Sequence, residues 1–386
     1  MAMQHVYIVG SGATAVAEHW ERTIGSLARE AVVKALGSIT PDRVGALYVA
    51  NALGGALHVQ AQLGATIAAA AGMPGIEAFS IDAGGASGGV ALRQAYQAIA
   101  GGLADLVVVV GAEKLSDVLD ERREAGLAIG MDADWEAVHG TTLTSQWALL
   151  MRRYMYEYGY EAADFAPFPV NAHANGATNP EALYRFPISR EKVAGAAMVA
   201  DPLGLLDCAT NADGAAAVVL ASEGLARELG GPRVRIAGSA AATDTPALHA
   251  RRDPLWLTAA ATSASAALRA ARLEAREIRL LELTDPHGIA AALALEASGF
   301  AERGMAVRQA QEGFFGADGP HTLASGGGYK ARGDTGGASG IYQIVELTRQ
   351  LSGMAGKGQI QGAKTALAQC LGGIGATAAT HVLVSE

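Results

Sequence analysis

The chain has 386 residues, half of them apolar and only 5% aromatic, with 49 glycines and a formal net charge of −9. This is the composition of a compact, Ala/Gly-rich α/β protein and excludes a disordered one. The acidic balance argues against non-specific binding to nucleic acid or anionic lipid. Cys208 and Cys370 are the two cysteines; they lack metal-site spacing and suit a reducing compartment. Met1 to Gly12 shows no charged segment followed by a long apolar run, and no stretch is apolar enough to span a bilayer. A soluble cytoplasmic protein that binds neither nucleic acid nor membrane is the expectation.

The elements begin with Val6-Tyr7-Ile8-Val9-Gly10, a β-branched run ending in Gly that predicts a buried strand. Residues 23–36 have helical period, Thr40-Pro41-Asp42 is a cap and turn, and residues 44–49 form a second strand. A helical stretch at 60–71 and a strand over Glu77–Ile81 lead to Gly84-Gly85-Ala86-Ser87-Gly88, followed by a long helix to Ala100 and a strand at 106–110. Residues 116–201 read as a mostly helical insertion, for example at 147–156, and as the cap over a site.

The second half repeats this order. A strand at 234–238, a helix over Thr258–Ala271 and a strand at 278–283 precede Gly336-Gly337-Ala338-Ser339-Gly340, a helix, and a terminal strand at 381–384. The repeated flanks argue against coincidence in a Gly/Ala-rich chain. Alternating strands and helices predict parallel sheets covered on both faces. Gly10-Ser11-Gly12 lacks the third glycine of a dinucleotide fingerprint, Ala15 standing there, so no nicotinamide cofactor is expected.

The ordered motifs resemble the thiolase superfamily, most closely its sterol-carrier/archaeal-type branch. Ile81-Asp82-Ala83-Gly84-Gly85-Ala86-Ser87-Gly88-Gly89 is similar to the family's nucleophile loop, and Val108-Val109-Val110-Gly111-Ala112-Glu113-Lys114 to the strand that follows. Asp201-Pro202-Leu203 and Asp213-Gly214-Ala215-Ala216-Ala217 match mid-chain signatures. Glu282-Leu283-Thr284-Asp285-Pro286-His287, Gly333-Asp334-Thr335-Gly336-Gly337-Ala338-Ser339-Gly340 and Cys370-Leu371-Gly372-Gly373-Ile374-Gly375 fall on the later ones. The resemblance implies a thiolase fold: duplicated βαβαβ halves in a layered α-β-α-β-α core with a helical cap insertion. Residues 1–115 and 202–232 would form the N-terminal half, 116–201 the insertion and 233–386 the C-terminal half.

The residues at the family's catalytic positions depart from its pattern. Gly85 stands where the family has its nucleophilic cysteine, whose pKa a helix N-terminus lowers. Asp334 replaces the histidine that activates it, and Thr284 replaces the His or Asn of the third motif. His287 sits where the family usually has Phe, and Tyr329 where it is usually aliphatic. Ser87 reads better as a helix cap than as a nucleophile, and Asp334 has a capping alternative too. Cys370 occupies the place of the proton-moving cysteine of many thiolases, or is a small buried hydrophobe; the two readings are equal. Cys208 reads as core. The backbone amides of Gly85 and Gly372 match the family's oxyanion hole, which needs no side chain.

The resemblance implies a CoA thioester as substrate and no permanently bound cofactor. Arg152, Arg153 and Arg185 of the insertion are the basic candidates for CoA, although each taken singly reads better as a solvated helix face; His139 and His173 are weaker pocket candidates. The missing cysteine favours a non-covalent retro-aldol or Claisen-type cleavage, as in thiolase-like aldolases of steroid side-chain degradation, with Asp334, Tyr329, His287, Thr284 and Cys370 as the acid/base set. An acyltransferase using a displaced nucleophile such as Cys370, and a non-catalytic scaffold, are the alternatives. Thiolase-like subunits pair through an edge strand, placed here at Glu77–Ile81, so a homodimer is expected, with a small OB-fold protein as a further partner.

Overall fold

A computed structural model describes residues 4–231 and 233–386. Met1 to Met3, within the stretch read for a leader, and Pro232, at the limit of the N-terminal half, lie outside the described residues. The strands are β1 (Val6–Ala13), β2 (Ala46–Ala50), β3 (Glu77–Ile81), β4 (Leu106–Glu113), β5 (Met198–Ala200), β6 (Leu203–Gly204), β7 (Gly214–Ser222), β8 (Val234–Thr243), β9 (Leu280–Leu283), β10 (Thr322–Leu323), β11 (Thr365–Gly372) and β12 (Thr377–Ser385). Strands β5 and β6 form a separate ribbon; the other ten run in the order β10-β9-β11-β12-β8-β1-β7-β4-β2-β3.

That order is the duplication made visible. Outward from the β1–β8 contact, which pairs Tyr7 with Arg235 and Ile8 with Val234, the halves read β1-β7-β4-β2-β3 and β8-β12-β11-β9-β10. The expected parallel pairing holds only for the outer strands, where β2 pairs with β3 and β4, and β9 with β10 and β11. Nearer the centre the sheet is antiparallel, because β7 enters between β1 and β4 and β12 enters between β8 and β11. The run Gly214-Ala215-Ala216-Ala217-Val218-Val219-Leu220 is uniformly buried. With neither alternation nor helical polarity, it reads as a motif and not as a strand until its neighbours are known.

Two helices, Ser87–Ala100 and Ser339–Leu351, fill the layer between the halves and share a core with β1, β4, β7, β8, β9 and β11. Ile24–Leu36 and Leu63–Ala70 cover the outer face of the first half, and Thr258–Ala271 and Gly288–Ala297 that of the second. The result is the layered α-β-α-β-α arrangement. The central helices cross at their first turns, where a Cβ on Gly88 would lie 2.8 Å from the Gly340 Cα. Both copies of the glycine loop therefore need glycine at the crossing, since any side chain would force the helices apart. The insertion contributes Asp120–Ala128, Leu143–Tyr158 and Pro167–Gly176, which are helical as expected. No helix among the described residues is long and apolar enough to cross a membrane.

Candidate active site

The two glycine loops and the turn after β11 converge on one cleft of about 330 Å³. Its apolar wall is Leu53, Leu127, Ile129, Leu143, Trp147 and Leu371; its polar groups are Asp82, Glu124, Thr144, Asn211, Thr284, His287, Tyr329 and Asp334. No cysteine, serine, lysine or arginine lines it among the described residues.

At the floor, Gly85 lies against the last loop so closely that a Cβ there would come within 2.6 Å of the Leu371 carbonyl oxygen. A Cβ on Gly372 would come within 2.3 Å of the Ala83 carbonyl oxygen. The loops carrying the two amides proposed for a thioester oxygen are thus packed backbone to backbone. Gly85 lines the cleft, and Gly372 sits between Leu371 and Gly373, which also line it.

Beside this floor, the Leu371 N–H donates to Thr284 Oγ1 at 2.9 Å, and Thr284 Oγ1 donates to the Tyr329 hydroxyl at 3.3 Å. The Tyr329 hydroxyl oxygen thereby gains a donor while keeping its own proton. Burial pushes its pKa well above the ordinary phenol value. The buried Arg332 guanidinium stacks between the Tyr329 and Tyr342 rings, 5.5 and 5.3 Å from their centroids, and opposes that rise.

Asp334 Oδ1 accepts from the Gly336 N–H at 2.9 Å and from Ser339 Oγ at 3.0 Å, so this carboxylate caps the second glycine loop while facing the cleft. Burial raises its pKa. His287 stands at the N-cap position of Gly288–Ala297 without a side-chain capping bond. Its burial, and to a lesser degree Lys330, hold it neutral with a pKa of about 4. A neutral imidazole accepts a proton and is a poor store for one.

Cys370 does not reach the cleft. It is fully buried, its Sγ donates to Gln343 Oε1 at 3.0 Å, and burial pushes its thiol up to about 12. The sulfur packs where a Cβ on Gly89 or Gly340 would stand, at 3.1 and 2.6 Å, wedged between the two helix starts. That position corrects its reading as an acid/base or displaced nucleophile; it is a core side chain. Cys208 is partly buried and its thiol is likewise raised to about 12, first by burial.

The structure keeps the basic candidates outside the cleft. Arg152 is exposed and paired with Asp201, Arg153 is exposed and paired with Glu157, and Arg185 is exposed. His173 packs against the Tyr184 ring and His139 is exposed; neither lines the cleft. Asp82, Glu124 and Asn211, by contrast, line it without having been expected. The signal for Asp82 was present: both loops carry Asp-x-Gly-Gly-Ala-Ser-Gly, at 82–88 and 334–340. Glu124 lies on an exposed-looking helix and gives no such signal.

Comparison with known proteins gives the family of this fold. The thiolase N-terminal domain profile matches residues 6–224, and the thiolase C-terminal domain-like profile matches residues 240–385. An acetyl-CoA acetyltransferase of Methanothermobacter thermautotrophicus is 38% identical over 98% of this chain and 99% of its own. The benzoylsuccinyl-CoA thiolase subunit BbsB of Thauera aromatica is 31% identical over 90% of this chain and 89% of its own. Among solved structures, the Ltp2-ChsH2(DUF35) aldolase superposes with a TM-score of 0.85 at 25% identity, covering 100% of this chain and 98% of that one.

Proposed function

We propose that this chain, which belongs to the thiolase family, cleaves a carbon–carbon bond beside a CoA thioester by a non-covalent retro-aldol route. The observation that carries this reading is the empty nucleophile position. Gly85 offers no side chain, its packing against Leu371 leaves no space for one, and the cleft presents no thiol. An acyl-enzyme at position 85 therefore has no atom to form on, and the Ser87 hydroxyl at the helix start donates to the Gly84 carbonyl and does not line the cleft.

Retro-aldol cleavage of a 3-hydroxyacyl-CoA needs only a base, an acid and an oxyanion site. A base takes the β-hydroxyl proton; the Cα–Cβ pair moves into the thioester as an enolate; the enolate is protonated at Cα. The products are a ketone or aldehyde and a shortened acyl-CoA. The Gly85 and Gly372 amides suit the enolate oxygen. Tyr329, Asp334 and His287 supply the proton traffic, and Thr284 holds the Tyr329 hydroxyl. The absence of cationic side chains from the lining, with Asp82, Glu124 and Asp334 present, favours an acyl group that carries no carboxylate.

The similarity to an acetyl-CoA acetyltransferase supports acyl transfer as the second reading. Incubation with 3-hydroxyacyl-CoA thioesters, followed by mass spectrometry, separates the two. Release of a carbonyl compound without added CoA supports the aldolase; cleavage of 3-ketoacyl-CoA only with free CoA supports the thiolase. A two-component aldolase among the structural neighbours supports assaying with a co-expressed OB-fold partner. Strand β3 ends the sheet, with Phe79 exposed on it, which suits pairing with a second copy. Sedimentation at nanomolar protein tests that dimer.

A further inference from the structure

Behind His287 lies a second, smaller hollow of about 10 Å³, room for about one water. Its polar lining is His287, Asp207, Asp285, Lys330 and Asn171. Among the described residues His287 alone lines both this hollow and the cleft, and so stands between them.

Two atoms at this place have no partner. His287 Nδ1 and Asp207 Oδ1 are sealed from solvent without a hydrogen bond, in residues only 6% and 7% exposed. Asp207 Oδ2 is occupied by the Gly204 N–H at 2.9 Å, and Asp285 Oδ1 by the Tyr329 N–H at 2.7 Å. Lys330, 4% exposed, forms no ion pair among the described residues and lies 5.5 Å over the Tyr184 ring. A sealed, unpartnered polar atom costs about 1–3 kcal/mol. A single water in the hollow would offer hydrogen bonds to both dangling atoms.

We infer that this hollow is a one-water proton relay, in which His287 passes a proton between the cleft and Asp207. The inference rests on the retro-aldol reading above. His287, as the Nδ1–H tautomer, accepts the substrate's hydroxyl proton at its other nitrogen. It releases the Nδ1 proton to the water, and the water gives one of its own to Asp207 Oδ1. The path reverses when the enolate carbon is protonated, so no proton is gained or lost over the cycle. Asp207 is a positioning residue here, since it acts through the imidazole.

The surrounding charges suit this direction. Burial brings His287 down to about 4; the Asp207 backbone carbonyl opposes that fall and Lys330 adds a smaller lowering, so the ring hands a proton on instead of keeping it. Burial raises the Asp207 carboxyl above its ordinary range, which makes it a better acceptor. Burial also lowers Lys330 to about 8, against the pull of Cys208, Asp207 and Asp285. Facing His287 are Asp207 from the turn after β6, Asp285 from the turn after β9 and Lys330 from the turn before the second glycine loop. Tyr329, Thr284 and Asp334 line the cleft side. The helix Pro167–Gly176 adds Phe168, Pro169 and Asn171, none of them charged.

The test is Asp207→Asn, whose amide oxygen can still accept from the Gly204 N–H, with Asp207→Glu as the rescue. In the full-length protein, Asp207→Asn should lower kcat about tenfold or more while KM stays within about twofold, and should shift the acid limb of the pH–rate profile. Asp207→Glu should restore part of kcat. The second measurement needs no turnover: NMR titration of the His287 ring, assigned through His287→Gln. Asp207→Asn should move that titration. An unchanged kcat and pH profile in Asp207→Asn, or a His287 titration indifferent to it, overturns the relay. If the wild-type protein cleaves no 3-hydroxyacyl-CoA, the aldolase reading fails, and the NMR titration still decides whether His287 and Asp207 are coupled.

Discussion

Asp82 and Asp334 stand in equivalent places in the two halves and make the same bond: each Oδ1 accepts the N–H of the glycine two residues on, at 2.9 Å. The serines that follow agree, Ser87 accepting from Ala83 N–H and Ser339 from Thr335 N–H, both at 2.9 Å. Asp334, which the resemblance sets at the activating histidine, therefore repeats a cap that the first loop also uses. It differs in burial and in the bond it receives from Ser339 at 3.0 Å.

Capping and catalysis at Asp334 separate by substitution. Asp334→Asn keeps an oxygen for Gly336 and should cost less than about 0.5 kcal/mol, whereas Asp334→Ala should cost about 1–2 kcal/mol. Chemical denaturation measures both. If the carboxylate also moves a proton, Asp334→Asn loses about a hundredfold or more in kcat while remaining as stable as the parent.

Restoring sulfur at the helix start should not restore a thiolase. Gly85→Cys drives its Cβ to 2.6 Å from the Leu371 carbonyl oxygen, which is backbone and cannot swing away. We expect a loss of about 1–3 kcal/mol in stability. Intact-protein mass spectrometry after incubation with acetyl-CoA should show no acetyl adduct.

Cys370 should behave as a core residue. With its sulfur sealed and its pKa raised to about 12, a thiol reagent should leave it unmodified in the native protein and label it only after unfolding. Cys370→Ala should cost about 1–2 kcal/mol and keep kcat within about threefold. Rapid native labelling mapped to Cys370 would revive the displaced-nucleophile reading.

Glu113 ties the second glycine loop to the pH dependence of stability. Its carboxylate accepts from Ala52 N–H at 2.8 Å, Leu53 N–H at 3.2 Å, Gly337 N–H at 3.1 Å and Asn51 Nδ2 at 2.6 Å. Burial nevertheless pushes its pKa from 4.5 to about 7. A carboxyl raised in the folded state binds its proton more tightly there, so its contribution is fully present below pH 4.5 and is lost as pH rises through about 7. Subtracting the pH profile of Glu113→Gln from that of the wild type should isolate a fall in stability over that window. A difference that is flat with pH would show that the four donors hold the carboxylate ionised throughout.

The sequence by itself determined the duplication, the glycine loops and the lost nucleophile. These are local facts: a β-branched run is a strand, a Gly-Gly-Ala-Ser-Gly segment starts a helix, and Gly85 has no side chain wherever it lies. Only the tertiary structure decided which groups share the cleft. Cys370 belongs to the last motif yet faces Gly340, because the central helices cross just there and need a small filler between them. His287 and Asp207 come from different halves of the reading yet border one hollow. Periodicity encodes which face of an element is buried; it carries no record of which distant side chain is buried against it, since that is set by packing across the whole sheet.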